Sequence, residues 1–213
     1  MSRHLNIIGK IFVAAFQVAS LTGSVSAQVS GETEAVALPA DELTLEQALS
    51  IPEVPSKQNA FVKGYMKREA LALHKAGYKV ETMRKGEIVI ATIPTDRLFA
   101  PNDTVLLQTA PSLLKPFLPY FKVSGRFKVI LALHTDDSGS DNYLTGLAEK
   151  RIVALYDYFD TNAADARALT GYPMAANEPL KENTSRDNRS ENRRLEVYIV
   201  PDDGLIREMK ATK

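Results

Sequence analysis

The chain has 213 residues, 45% hydrophobic and 24% charged, with 26 basic and 26 acidic side chains and no cysteine. That length and balance suit one sizeable core with attachments, and a formal net charge of zero gives no whole-chain basis for capturing nucleic acid or an anionic surface. The lack of cysteine excludes disulfide frameworks, thiolate nucleophiles, Cys-ligated zinc, iron–sulfur clusters and attachment through a lipid-modified cysteine in this sequence.

Residues 1–27 read as an export leader. Arg3, His4 and Lys10 supply a basic start, Ile11 to Leu21 an apolar centre, and Ser24-Val25-Ser26-Ala27 a small-residue site with cleavage expected after Ala27. The apolar run is about half the ~20 residues a membrane-spanning helix needs. From Gln28 to Asn59, Pro39, Pro52 and Pro55 accompany six carboxylates (Glu32, Glu34, Asp41, Glu42, Glu46, Glu53) opposed by Lys57 alone. This predicts an extended acidic linker, with a helical turn or two at Leu43 to Leu49.

Phe61, Tyr65, Met66, Ala70 and Leu73 are spaced for one face of a helix that ends at Gly77. Tyr78 to Met83 and Glu87 to Ile93 then read as paired strands across Arg84-Lys85-Gly86, so residues 60–86 form an N-terminal helix and strand extension to a domain at 87–201. A loop from Arg97 to Asp103 leads into a Leu-rich helical segment, Thr104 to Phe121, which Pro111, Pro116 and Pro119 must kink or break. Phe127 to Leu133 is a strand apolar on both faces. Asp141 offers an N-cap to a long helix whose core stripe is Leu144, Ala148, Ile152, Leu155 and Phe159. A short strand near Arg167 to Gly171, a polar loop from Tyr172 to Asn192, a strand from Leu195 to Val200 and a tail at 202–213 complete the chain. The order β-α-β-α-β-β predicts an α+β fold, a mixed sheet with helices packed on one face.

Polar residues concentrate between the Phe127 strand and the helix after it: His134, Thr135, Asp136, Asp137, Ser138, Ser140 and Asp141. Arg151 follows Asp136 on that helix, flanking the apolar stripe. A carboxylate can accept hydrogen bonds from an ammonium group while a guanidinium fork holds a carboxylate at two points, so the pair suits a zwitterion. The alternative is that Asp136 and Arg151 pair with each other or cap local backbone. A second stretch, Asn183 to Val197, is a mildly basic loop running into the last strand.

These two stretches carry a resemblance. His134-Thr135-Asp136 with Arg151, followed by Arg189 and then Asn192-Arg193-Arg194-Leu195-Glu196-Val197, resembles the OmpA-like peptidoglycan-binding domain family, which includes the C-terminal domains of OmpA, Pal and MotB. The resemblance spans Ile88 to Pro201. It implies noncovalent binding of peptidoglycan through the diaminopimelate of its stem peptide, in the periplasm or at the outer membrane. Asp136 would take the ammonium and Arg151 the carboxylate, with Asn102, Thr135, Arg193 and Asn192 completing the rim. The chain departs from the family pattern at Leu144, where Asn is common, at Leu147-Ala148 in place of Leu-Ser, at Ile152 in place of Ala, and at Asn188 in place of Gly.

No catalytic residue, metal site or cofactor is expected, because no His-x-x-x-His, Gly-x-Ser-x-Gly or phosphate-binding Gly-rich loop is present. Too few residues precede the domain for a closed transmembrane barrel. The other expectation for this fold is an envelope interaction module that binds outer-membrane or periplasmic proteins, using the acidic linker and the helix from Phe61 to Ala76. No nucleic-acid partner is implied.

Overall fold

The apolar runs at 88–93, 127–133 and 195–200 become the three inner strands of a five-stranded sheet, as strands hydrophobic on both faces should. The computed structural model describes residues 43–211. The expected leader and the linker up to residue 42 lie outside the described residues. Residues 41–213 form one compact unit that contains the whole described core.

The elements in chain order are α1 (Leu45–Ser50), α2 (Ser56–Lys75), β1 (Lys79–Met83), β2 (Ile88–Pro94), α3 (Ala110–Leu114), β3 (Phe127–His134), α4 (Asp141–Asn162), β4 (Leu169–Ala175), α5 (Arg186–Asn192), β5 (Arg194–Pro201) and α6 (Asp203–Ala211). The sheet order is β1-β2-β5-β3-β4. All pairs are antiparallel except β3 with β4, which are parallel and joined through α4. One row, Val80–Ala91–Val197–Leu131–Gly171, crosses the sheet. Its centre is buried under α2 and α4, whose stripes are Val62, Met66 and Leu73, and Leu144, Ala148, Ile152, Leu155 and Phe159.

The larger helices therefore cover one face, and α1 adds cover to the other. Ala48 and Leu49 bury against a cluster of Ile88, Ile130, Tyr198 and Val200. From residue 43 the expected extended linker is thus folded onto the sheet. Thr44 and Gln47 form a reciprocal capping box, Arg84 donates to the carbonyls of Leu49 and Pro52, and Tyr172 Oη donates to Leu43 O. Six residues of helix are too short for periodicity to reveal; tertiary contacts hold them.

Other segments differ from expectation for local reasons. The three prolines shorten the Thr104 to Phe121 helix to α3 and a 3₁₀ stretch, Lys115–Phe121. The polar loop contains the end of β4 and α5, the latter capped by Ser185 Oγ accepting from Asn188 N–H. The N-cap of α4 is Ser140, one residue before Asp141. The tail is a helix, α6, that buries Leu205 and Ile206 in the main core.

Candidate functional site

β5 starts where its two neighbours end, since it is antiparallel to both β2 and β3. Arg193, the residue before β5, therefore emerges between Asp96, just past β2, and Asp136, just past β3. Its Nε and Nη2 donate to Asp96 Oδ1 at 3.1 Å and Oδ2 at 2.9 Å, and its Nη1 to Asp136 Oδ2 at 2.6 Å. Backbone hydrogen bonds tie the same corner together: Thr95 N–H to Arg193 O at 3.1 Å and Thr135 N–H to Ala175 O at 2.8 Å.

Asp136 Oδ1 accepts the Ser138 backbone N–H at 2.9 Å. Burial pushes this carboxyl upward, but Arg193 and the Ser138 groups outweigh it and hold its pKa below the ordinary value. Arg193, bound first by Asp96 and then by Asp136, is raised above the ordinary guanidinium value despite partial burial. Both groups are charged at neutral pH.

Arg151 is buried, and it makes no ion pair among the described residues. Its Nε donates to Asp103 O at 2.8 Å, its Nη2 to Ala100 O at 3.2 Å, and its guanidinium lies 4.9 Å from the Phe99 ring centroid. Burial lowers its pKa from the ordinary value, with Asp96, Tyr143 and Asp103 opposing. A guanidinium has five N–H donors; the carbonyls take Nε–H and one Nη2–H, and Nη1 has no hydrogen-bond partner among the described residues. Asp136 and Arg151 do not pair with each other.

Asn102 shapes the loop that Arg151 grips. Its φ of +57° is a left-handed conformation that Asn tolerates, and its side chain is exposed without a hydrogen-bond partner among the described residues. Thr135 is buried and turns its hydroxyl to Asp136 O at 2.9 Å, which ties down the turn. Asn192 is fully buried. Its side chain accepts Lys181 N–H and donates to Lys181 O and Asn183 Oδ1. Expected at the rim, Asn192 uses its side chain to clamp residues 181–183.

Sequence reasoning missed Asp96. It lies 97 residues from Arg193 in a loop without any distinguishing pattern, and only the strand order brings the two together. His134, grouped in sequence with the strand-end polar cluster, is buried on the second face with its Nε2 3.7 Å from Glu196 Oε2. A cleft of about 370 Å³ beside α1, lined by Leu43, Ile51, Lys128 and Tyr172 among others, contains none of the predicted site residues. No cluster of metal-ligating side chains occurs among the described residues.

No family model matches the sequence. The Escherichia coli (strain K12) protein YfiB is 30% identical over 104 residues, 48% of this chain and 65% of YfiB. The chain spans less than two thirds of the length of the curated relatives it matches. Among solved structures, a MotB-like protein of Desulfovibrio vulgaris superposes with a TM-score of 0.59 at 21% identity, covering 68% of this chain and 99% of that one. The cell wall anchor of the T6SS from Pseudomonas aeruginosa gives 0.51 at 23% identity, over 70% of this chain and all of that one. In fold this chain is similar to the MotB-like protein and to the T6SS cell wall anchor, with the same mixed α+β arrangement that the sequence predicts.

Proposed function

We propose that this protein binds peptidoglycan noncovalently, without cleaving it, by holding the zwitterionic end of diaminopimelate between Asp136 and Arg151, and so anchors or organises the cell envelope from the periplasm. The observation that carries the reading is Arg151: a buried guanidinium with no carboxylate partner among the described residues and with donors unspent. A ligand carboxylate would supply the missing counter-charge. Asp136 has about four lone-pair directions as an ionised carboxylate; Arg193 and Ser138 take one on each oxygen, leaving the others for an ammonium. Asn102 and Arg193 flank the position such a guest would occupy. Similarity in fold to the cell wall anchor of the T6SS is consistent with this.

Cosedimentation with purified peptidoglycan sacculi tests the proposal. Asp136→Asn and Arg151→Gln, which keep size and remove charge, are each expected to weaken binding at least tenfold, the loss of a charge-assisted hydrogen bond of about 1.5–3 kcal/mol. Binding unchanged in both variants, with circular dichroism unaltered, rejects the site. Release of soluble muropeptides would instead indicate a hydrolase.

A further inference from the structure

The outward face of α2 carries charge that the peptidoglycan reading leaves unused. The buried stripe of α2 is Gln58, Val62, Met66 and Leu73. At 100° per residue the opposite side presents Lys57, Phe61, Lys67, Arg68, Leu71 and Lys75, all exposed. Phe61 is 55% exposed and Leu71 51%, on a helix where large apolar side chains have core to fill.

Among the described residues no carboxylate pairs with these cations. Glu69, the helix's own acid, accepts from Tyr120 Oη at 2.9 Å. On the elements packed against α2, Glu81 is engaged with Lys79, Glu87 with Asn59 and Arg84, and Glu208 with Arg126, while Asp203 at the start of α6 makes no ion pair with these cations. Among the described residues, no ion pair reaches Lys57, Lys67, Arg68 or Lys75. Arg68 stands over the Tyr65 ring, its guanidinium 5.1 Å from the centroid.

We propose that this face of α2 docks on a bilayer surface bearing anionic phospholipid headgroups. A convex helix face offers no groove for an extended peptide. Unpaired cations around two projecting apolar tips suit a plane of phosphates with hydrocarbon just beneath. Phe61 and Leu71 are ten positions apart, about 15 Å along the helix, and both can enter the interface while the lysines meet headgroups. This is surface attachment: no described helix is long and apolar enough to cross a membrane.

The test is cosedimentation of the 41–213 unit, which carries the whole described core, with vesicles of phosphatidylglycerol and phosphatidylcholine, against vesicles of phosphatidylcholine alone. The unit is expected to pellet with the anionic vesicles only and to be released by salt. The double variant Lys67→Gln/Arg68→Gln should bind roughly 25-fold more weakly, about fivefold per cation removed. Phe61→Ser should also weaken binding, with the urea midpoint unchanged because these side chains are exposed. Sacculi binding should survive all of these substitutions. Equal pelleting with both vesicle types, none with either, or indifference to the double variant overturns the proposal. Concentration-dependent self-association lost in Phe61→Ser would assign the face to a second copy of the chain instead.

Discussion

Arg193 is fixed before any ligand arrives, because carboxylates from both strands beside its own already hold it. Arg151 is fixed differently, by backbone carbonyls and the Phe99 ring, and keeps its charge unanswered. On the proposed function, Arg193 builds the corner and Arg151 meets the guest. Asn192 belongs to the building side. Removing its amide in Asn192→Ala would leave Lys181 N–H and O without partners, at a cost of about 1–3 kcal/mol. The urea midpoint should therefore fall while the sacculi affinity of the folded fraction stays within twofold. A selective loss of affinity at unchanged stability would return Asn192 to the binding rim. Leu144 also has a physical account: it is buried in the main core and packs beneath Gly139, so no side-chain amide is presented there. Asp136 and Arg151 stood out in the sequence through their spacing on a strand end and the following helix. Asp96 was not, since nothing local marks it.

At the scale of elements, the approach of α4 to β4 depends on Gly171. A Cβ there would stand 2.5 Å from Ile152 Cγ2 and 3.0 Å from Tyr156 Cε2. Ile152 is fully buried and β-branched, so it has little room to yield. Gly171→Ala is expected to destabilise by about 1–3 kcal/mol through overpacking, read as a lower urea midpoint. Because α4 carries Arg151, sacculi binding should weaken along with it. An unchanged midpoint would mean the helix can shift without loss. Long elements with sustained apolar stripes, α2 and α4, were readable in advance. The six-residue α1 showed only as a helical turn or two within an expected linker, and the nine-residue α6 did not show at all, as neither is long enough for periodicity to stand out from composition.

For the whole molecule, the polar cluster on the second face of the sheet links stability to pH. Burial holds His134 below its ordinary pKa, with Glu196 opposing and Arg194 adding to the depression. The unfolded chain therefore takes up a proton that the folded one resists, so this contribution is complete above about pH 6.5 and is lost as pH falls below it. Burial pushes Glu196 upward, yet His134, Arg194 and Tyr198 bring it down to about 2. Asp136 is depressed too. Stability from these carboxylates is present above about pH 4.5 and lost as pH falls toward their folded values. Urea midpoints should consequently fall in two stages on acidification. His134→Leu should abolish the first stage, between about pH 6.5 and pH 4.5, and leave the second. A first stage that persists in His134→Leu would show that another group sets it.

Local chemistry was enough for the sequence to determine the strands, the long helices and the charge types at the site. Apolar runs and helical spacing act over a few residues, and the strand-end cluster around Asp136 lies within one such stretch. Tertiary structure alone decided which groups answer one another. Placing β5 between β2 and β3 gives Arg193 two carboxylates and buries Asn192, while Arg151 on α4 meets none among the described residues. Strand order is set by burial summed over the whole sheet, and no window of sequence contains that sum.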